Sequence, residues 1–462
     1  MTEPNLDGAS TQRIHPALDF TSDNAYVGKL LPCKEEYGGW GKQFCLIRDD
    51  GEIIPCIEKV LEKNGLSLSS PNFAFESEWS INGIKKFTKK QKAVDSAQLF
   101  NKMKKLFKTY IELEDEKLYD FLTLWNIGTY FFPLFNSYPY VYVGGIKDSG
   151  KTKLLTLCSR IAFNGISSGS ISSAVLYRFV QGTRCSLLLD ETEQLSNRYG
   201  AGIFRNVLLN GYKKGQKVYR NRKTVEGDWE PKPFEIYSPK MLASIERLED
   251  VLGSRCIPIM MKKGLNKKIT NKEIDIIDPT WQQTRDLIYP FLMKNWRDIR
   301  KIYSKLENDT ELKNRNWELW KPILTLAKFF DHSINGLYDK MQSLAVEKTK
   351  ETQRENSLSH EIVLVKTLLS MVNEDKFYKL SEIKEEMTDH LEHGDWVNER
   401  YVGKILRRLG FTQKRRIATG YEYFLKVSEV KEWTQRLEIS VVSEGSELSE
   451  RTEEEGNQNT SS

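Results

Sequence analysis

The sequence predicts an α/β protein, because short apolar segments with strand character alternate with helical patterns in its middle third. The β-branched and aromatic residues 140–143 precede a glycine-rich turn and the apolar periodicity of a helix. Residues 185–189 and 240–243 have the length and composition of two further buried strands. All three segments end at glycine or polar residues, which favours one sheet with a polar edge.

Composition limits the classes of protein to which the chain can belong. Its 462 residues are typical of about three domains of ~150 residues. The 69 Lys and Arg residues exceed the 64 Asp and Glu residues by five, so any nucleic-acid contact is expected from a local patch. Six scattered cysteines without a C-x-x-C pair argue against a zinc site and favour the reduced thiols of a cytoplasmic protein.

The apolar segments do not indicate secretion or membrane insertion. The first 16 residues are polar and lack the apolar region of a signal peptide. Residues 121–143 are the one candidate membrane stretch, but Asn126, Pro133, Asn136 and Pro139 would be costly in lipid. We expect a buried helix followed by a buried strand there.

The strongest signal is the glycine loop, residues 145–152, which fits G-x-x-x-x-G-K-[ST] at every fixed position. Glycines let a turn approach phosphate oxygens, and backbone N–H groups at a helix start attract anions. Lys151 is expected to neutralise the β and γ phosphates of ATP, and the Thr152 hydroxyl to hold Mg²⁺. The alternative is an ordinary glycine-rich turn. The predicted nucleotide-binding residues are Gly145, Ile146, Lys147, Asp148, Ser149, Gly150, Lys151 and Thr152.

A second motif follows at residues 185–191, where an apolar strand ends in Asp190 and Glu191. These carboxylates are expected at the same sheet edge as the glycine loop, Asp190 supporting Mg²⁺ and Glu191 polarising the attacking water. The Asp-Glu pair favours ATP hydrolysis over a GTP switch, and a small-molecule kinase stays possible. A strand end with solvated acids is the alternative for the motif alone.

The third strand and the segment after it supply two more candidates. Ser244, at the strand end, is expected to sense the γ-phosphate and orient water; otherwise it is a buried strand-end hydroxyl. Arg255, just before a new strand, can face the nucleotide of a neighbouring subunit and stabilise transition-state charge in trans. Arg247 is a weaker candidate for the same role, and a salt bridge is the alternative for either arginine.

A basic segment at residues 210–223 lies between the second and third strands. It combines cations, which suit phosphates, with Tyr212 and Tyr219, which suit bases. It is expected to contact DNA, although most charged segments are simply solvated. The predicted DNA-binding residues here are Lys213, Lys214, Lys217, Arg220 and Arg222.

The carboxy-terminal pattern from about residue 360 is helix, short strand, helix, helix and hairpin, which is the layout of a winged helix. Its third helix carries apolar residues on one side and cations on the other. DNA binding is expected, although winged helices also dock proteins. The candidate DNA-binding residues are Arg400, Lys404, Arg407 and Arg408 on the helix and Lys414, Arg415 and Arg416 on the wing.

From about Ala17 to Leu437 the sequence resembles the helicase-like ATPase module of phage and plasmid replication proteins. The resemblance implies a P-loop NTPase core of the AAA+/RecA-like or superfamily-3 kind, assembled as a homo-oligomer, most simply a hexameric ring. The matching residues are 124–130, 133–135, 138–140, 145–152, 172–178, 189–191, 209–212 with Gly215, 243–248, 254–257 and 319–327.

The chain also departs from that family. Ser254 precedes Arg255 where the family usually has Asp, and this pairing resembles the arginine finger of the replicative MCM ATPases. No second sensor arginine is evident in the helical region. No acidic cluster of a primase precedes the ATPase core, so a primase is expected only as a separate partner.

Together these features predict an ATP- and Mg²⁺-dependent DNA motor, a replicative-type helicase of a mobile element. An ATP-dependent remodeller or loader, and a DNA-binding scaffold whose assembly ATP controls, remain alternatives. The predicted regions are 1–15 disordered, 16–95 a small β-containing domain, 96–137 helical, 138–262 the P-loop core, 263–350 helical, 351–438 the winged helix and 439–462 a disordered acidic tail.

Overall fold

The protein folds into two compact units, which we call the amino-terminal unit (Met1–Lys348) and the carboxy-terminal unit (Thr349–Ser462). The sequence placed the last domain boundary two residues later, after residue 350. The computed structural model describes residues 11–34, 39–69, 77–89, 94–192, 201–223, 227–245, 248, 250–356, 360–390 and 397–437. The predicted disordered tail, residues 439–462, lies outside these ranges.

The amino-terminal unit begins with a small antiparallel sheet in the order β2-β3-β4-β5, and β1 pairs in parallel with β6. The elements are β1 (Gln12–Ile14), β2 (Leu18–Phe20), β3 (Ala25–Lys34), β4 (Trp40–Arg48), β5 (Ile53–Pro55), α1 (Glu58–Lys63), β6 (Leu66–Leu68) and α2 (Ile81–Thr88). Strand β1 falls within the predicted disordered segment 1–15, and that part of the prediction is wrong. Ile14 is buried because it pairs with Leu68, a partner too distant in sequence for a local pattern to indicate.

Two helices and a turn lead into the central sheet: α3 (Ser96–Tyr110), α4 (Glu116–Gly128) and a 3₁₀ turn (Phe132–Leu134). The side chain of Asp95 caps α3, and that of Asp115 caps α4, each accepting a backbone N–H of the first turn. Helix α4 is buried on all sides from Leu118 to Gly128. Within the described residues, no helix combines the length and apolarity that a membrane span requires.

The centre of the unit is a parallel sheet of five described strands in the order β13-β7-β12-β9-β8. Helices cross between the strands, so the fold is mixed α/β with a parallel sheet, as predicted. The elements are β7 (Tyr140–Gly145), α5 (Lys151–Ile161), β8 (Ile166–Ser168), α6 (Ser173–Thr183), β9 (Leu187–Leu189), α7 (Ala201–Asn210), β10 (Lys217–Lys223), β11 (Trp229–Glu235), β12 (Lys240–Ser244), α8 (Asp250–Gly253) and β13 (Cys256–Met261).

Four described helices follow the central sheet in this unit. They are α9 (Lys267–Thr270), α10 (Pro279–Lys305), α11 (Asn314–Phe330) and α12 (Leu337–Asn356). The longest of them, α10, contacts residues of the amino-terminal sheet. Trp79 stacks on Tyr289 of α10 at 5.1 Å, and Trp296 donates its indole N–H to Asp49 at 2.8 Å. The sequence predicted boundaries after residues 95, 137 and 262. None of them separates two compact units, because one hydrophobic core includes residues from all these segments.

The carboxy-terminal unit has its own hydrophobic core and a three-stranded antiparallel sheet in the order β14-β16-β15. Its elements are α13 (His360–Met371), β14 (Lys376–Lys379), α14 (Leu380–Asp389), α15 (Glu399–Arg408), β15 (Lys414–Ile417), β16 (Gly420–Leu425) and α16 (Val427–Arg436). Asn398 caps α15 by accepting the backbone N–H of Tyr401 at 3.0 Å. Helix α16 is additional to the predicted pattern.

Gly128, the last residue of α4, offers a test of the packing between this helix and its neighbours. A Cβ atom there would lie 2.2 Å from the Tyr138 hydroxyl and 2.8 Å from Leu326 Cδ1. We expect Gly128→Ala to lower the free energy of unfolding by about 1–3 kcal/mol, because a buried ring must move. Gly182→Ala in α6 is the matched control: a Cβ there has nothing within 4 Å, and alanine favours a helix. Urea unfolding compares the two variants, and equal stabilities would contradict the packing.

Candidate functional site

The glycine loop connects β7 to α5 through backbone conformations that glycine favours. Gly145 has φ +148° and Gly150 has φ +92°, and the intervening Asp148 is also left-handed at φ +64°. A Cβ atom on Gly145 would lie 2.3 Å from the carbonyl oxygen of Met261, so only glycine fits beside β13. The loop then opens directly into the first turn of α5, where unpaired N–H groups attract anions.

Lys151 holds its ammonium group inside the glycine loop. Its Nζ atom donates to the carbonyl oxygens of Gly145 and Ile146, both at 2.8 Å, and the residue is only 9% exposed. The hydroxyl of Ser149 is buried beside it without a hydrogen-bond partner among the described residues. By contrast, Ile146, Lys147 and Asp148 are exposed at the outer turn of the loop.

The structure brings the glycine loop and the first acidic residue into direct contact. Thr152 Oγ1 donates to Asp190 Oδ2 at 2.6 Å, although the residues are 38 positions apart in sequence. Asp190 follows β9, two strands away from β7, and its other carboxylate oxygen accepts the backbone N–H of Glu191 at 3.0 Å. The hydroxyl and the carboxylate therefore lie together at the carboxyl edge of the sheet.

Glu191 extends the same edge in a strained conformation. Its φ of +51° is uncommon for a non-glycine residue, and its side chain is exposed. The next residue, Thr192, donates both its backbone N–H and its hydroxyl to the carbonyl oxygen of Ala243, each at 3.1 Å. Residues 190–192, called the acidic segment below, are thereby hydrogen-bonded to β12.

Ser244 ends β12, the strand between β7 and β9. It pairs in parallel register with Gly144 and is buried. It therefore lies at the sheet edge that carries the glycine loop and Asp190. Arg247, the weaker arginine candidate, lies outside the described residues.

Arg255 lies at the amino-terminal ends of the parallel strands, whereas the glycine loop lies at their carboxyl ends. The strand it precedes runs from Cys256, paired with Tyr140, to Met261, paired with Gly145, so about 20 Å of extended chain separates Arg255 from the loop. Its Nε atom donates to the carbonyl oxygen of Leu209 at 2.8 Å. Burial and the charge of Arg315 lower its pKa.

Arg315 at the start of α11 is a residue that the sequence reasoning missed. Its guanidinium donates to the Ser254 hydroxyl at 2.8 Å, and Arg255 donates to the same hydroxyl at 3.0 Å. Both guanidinium groups lie over the Tyr212 ring, at 5.8 and 5.5 Å from its centroid. No local motif marks Arg315, because only the packing of α11 brings it to Arg255.

The basic segment forms an antiparallel hairpin of β10 and β11, called the basic hairpin below (residues 217–235). Lys217 is exposed, and Arg220 lies over the Tyr177 ring of α6 at 5.6 Å. Arg222 belongs to β10, but its side chain is outside what the structure describes.

Three residues of the predicted DNA-contacting segment lie at the base of the hairpin and are not part of it. Lys213 forms an ion pair with Glu318 at 3.0 Å, and Lys214 donates to the carbonyl oxygen of Pro133 at 2.7 Å. Tyr212 is buried. Burial keeps the Tyr212 ring from stacking on a base, whereas the DNA contacts expected of Lys213 and Lys214 stay predictions.

Lys240 connects the base of the basic hairpin to the central sheet. It starts β12, is fully buried, and donates to the carbonyl oxygens of Gly211, Ile236 and Ser238 at 3.1–3.3 Å. Burial lowers its pKa to about 7. The residues on both sides of the hairpin are thus held to the strand that ends at Ser244.

The carboxy-terminal unit presents cations along α15 and β15. Helix α15 buries Val402, Ile405 and Leu406 against its core. Arg408 forms an ion pair with Glu361, and Arg415 forms one with Glu422 at 2.7 Å. The exposed cations are Arg400, Lys404, Arg407, Arg408, Lys414, Arg415 and Arg416.

Comparisons with known proteins find distant structural neighbours, among them a helicase. The structure described as "SCCmec type IV Cch - active helicase" is 13% identical, with 92% of this chain and 99% of that chain covered and a TM-score of 0.44. An apo structure of the NrS-1 C-terminal region is 12% identical, with 84% and 94% covered and a TM-score of 0.32. A second apo structure of that region, described as residues 305–718, is 12% identical, with 83% and 94% covered and a TM-score of 0.33. No family model and no curated protein matches the chain.

Proposed function

We propose that the protein is an ATP-hydrolysing DNA motor of the helicase type, with a P-loop core in its amino-terminal unit and a winged helix in its carboxy-terminal unit. The observation that carries the proposal is the 2.6 Å contact between Thr152 and Asp190, beside a buried Lys151. A helix start, a lysine, a hydroxyl and a carboxylate in this arrangement suit a triphosphate with its metal ion.

The residues at this sheet edge fit ATP and Mg²⁺. The hydroxyl of Thr152 and the carboxylate of Asp190 are hard oxygen ligands of the kind Mg²⁺ prefers. The buried hydroxyl of Ser149 has no hydrogen-bond partner among the described residues, and a phosphate oxygen would accept a hydrogen bond from it. When bound, Mg²⁺ supplies positive charge against the β and γ phosphates.

Each residue of the site has a separate role in hydrolysis. Lys151 and the N–H groups at the start of α5 bind the β and γ phosphates and stabilise charge on them. Glu191 orients the attacking water and accepts its proton, and its exposed position beside Asp190 suits that role. Ser244, on the intervening strand, orients the same water or the γ-phosphate.

Hydrolysis is coupled to DNA through β12. Thr192 of the acidic segment donates a hydrogen bond to Ala243 near the carboxyl end of this strand. At the other end, Lys240 donates hydrogen bonds to Gly211 and Ile236 at the hairpin base. A displacement of the acidic segment therefore reaches the basic hairpin through one buried strand of five residues. The carboxy-terminal unit, with its exposed cations on α15 and β15, holds duplex DNA.

Arg255 acts on the nucleotide of a neighbouring subunit. It lies at the edge of the sheet opposite its own glycine loop, too distant to contact a nucleotide bound there. A finger in trans requires a head-to-tail neighbour, and such contacts close into a ring, most simply a hexamer. Arg315 shares the Ser254 hydroxyl with Arg255 and positions it.

The motor proposal is tested by ATPase activity with and without DNA, together with unwinding of a forked duplex. A motor hydrolyses ATP faster with DNA and separates the fork. ATPase activity without strand separation would indicate a remodeller or loader, and the absence of ATPase activity would indicate a scaffold.

Lys151→Ala is expected to abolish ATP binding and hydrolysis, because it removes the cation that lies inside the glycine loop. Lys105→Ala is the matched control: it removes an exposed lysine of α3, outside the glycine loop, and should leave ATP affinity within about twofold, as expected for surface substitutions. Titration with a fluorescent ATP analogue measures both. Equal losses would mean that the position of Lys151 is not what binds phosphate.

Glu191→Gln is expected to retain ATP binding and to lower kcat by roughly 10²–10⁴-fold, the usual contribution of a general base. The amide preserves size and polarity but cannot accept the proton of water. Phosphate release and analogue binding are measured on the same preparation. Full ATPase activity in this variant would refute the role of Glu191.

The Arg255→Ala variant on its own is expected to lack ATPase activity. When it is mixed with the inactive Lys151→Ala variant, activity is expected to return. In a random 1:1 ring, about one quarter of interfaces combine an intact glycine loop with an intact arginine. We therefore expect about one quarter of the wild-type rate. Mixing Arg255→Ala with the double variant Lys151→Ala/Arg255→Ala is the control and should stay inactive. Without rescue in the first mixture, the shared site is excluded.

A further inference from the structure

The amino-terminal unit contains a large cavity that the proposed motor does not use, called the α2–α10 cavity below. Helices α2, α3 and α10 and the turn after β4 surround a volume of about 820 Å³. This volume is within the range of binding sites for small molecules. None of the described residues that line the cavity belongs to the glycine loop or to the acidic segment.

Hydrogen bonds hold α2 against α10 beside the cavity. The backbone N–H of Ser80 donates to Asp286 Oδ1 at 3.0 Å, and the Ser80 hydroxyl donates to Asp286 Oδ2 at 2.6 Å. Gln282 donates to Asp286 Oδ1 at 2.9 Å. Gly83 of α2 lies so close to α10 that a Cβ atom on it would be 2.7 Å from Asp286 Oδ1. The fold therefore fixes the distance between these two walls.

The carboxylates that line the cavity already have partners within the fold. Asp49 forms an ion pair with Arg297 at 2.7 Å. Asp50 forms an ion pair with Arg48 at 2.6 Å, and Asp286 accepts the three hydrogen bonds just described. The negative charge of the cavity is therefore largely engaged before any ligand binds.

The three lysines that line the cavity differ from the carboxylates in this respect. Lys86, Lys102 and Lys294 have no hydrogen-bond or ion-pair partner among the described residues. Lys102 is also partly buried, and burial lowers its pKa, as expected for an ammonium group that leaves water without a counter-ion. A cavity whose acids are paired and whose cations are not favours an anionic ligand.

The rest of the lining combines apolar side chains with amides. Phe87, Leu287 and Pro290 supply apolar surface, and the exposed Asn82 and Gln283 supply amide groups. Apolar and aromatic side chains pack against a planar base, and an amide both donates to and accepts from the edge of a base. A ligand with phosphates on one end and a base on the other would use all three kinds of side chain.

We propose that the α2–α10 cavity binds a nucleoside diphosphate as a second ligand, separate from the ATP of the glycine loop. The base packs against Phe87 and Leu287, and the three unpaired lysines bind the phosphates. Three lysines exceed the charge of a single phosphate group, about −1.5 to −2, so a diphosphate matches them better than a monophosphate. The inference does not depend on hydrolysis at the glycine loop, because the two sites share no described residue.

The test titrates ADP, GDP, CDP and UDP, each alone, into the full-length Lys151→Ala variant and follows binding by calorimetry. This variant lacks the lysine of the glycine loop, so binding at that loop is weakened. We expect at least one of the four to bind. Adding Lys102→Ala should weaken its binding by roughly 10- to 150-fold, the loss expected for one hydrogen bond to a charged group. If none of the four binds, the inference is wrong.

Further variants show whether the loss is specific to the cavity. Lys102→Arg should retain most of the affinity because it keeps the cation, and Lys294→Ala should also weaken binding. Lys105→Ala is the matched control, since Lys105 is exposed on the same helix but does not line the cavity. Its affinity should equal that of the Lys151→Ala background. Equal losses in Lys102→Ala and Lys105→Ala would overturn the inference.

Two further measurements identify what the cavity recognises. Pyrophosphate should bind more weakly than the best nucleoside diphosphate, and equal affinity would contradict a contribution from the base. If Lys102→Ala weakens the binding of labelled oligo-dT and leaves the nucleoside diphosphate unaffected, the lysines contact nucleic acid and the inference is wrong. A wild-type protein without ATPase activity would remove the proposed motor but leave this inference intact.

Discussion

The parallel register of β7, β12 and β9 is the constraint on which the candidate site depends. These strands are distant in sequence, yet their carboxyl ends meet at one edge because all three run in the same direction. The contact of Thr152 with Asp190 spans the intervening strand and exists only in this order. A different order would leave a glycine-rich turn and an acidic strand end without a common ligand.

The same strand order places one buried strand between the candidate site and the base of the basic hairpin. Strand β12 is buried over its whole length, with Ala243 bound to the acidic segment and Lys240 bound to the hairpin base. A buried strand transmits small displacements because close-packed interiors have little free volume. The hairpin thus projects outward and remains anchored to the interior.

Local patterns in the sequence predicted those parts of the structure that local residues determine. The mixed α/β fold with a parallel sheet follows from apolar segments of strand length, and it is what the structure has. The contacts of Lys213 and Lys214 with α11 and the 3₁₀ turn depend on remote packing, as does the pairing of Arg315 with Arg255.

The shared core of the amino-terminal unit has a consequence for dissecting the protein into fragments. Tyr289 of α10 stacks on Trp79, so the segment just before α2 and a helix more than 200 positions later share one core. Cutting the chain near residue 95 or 137 would expose large aromatic surfaces on both pieces, which favours aggregation. The position at which the chain can be divided lies after the end of α12 at Asn356, because the core of the amino-terminal unit extends to Ala345 and that of the carboxy-terminal unit starts at Val363.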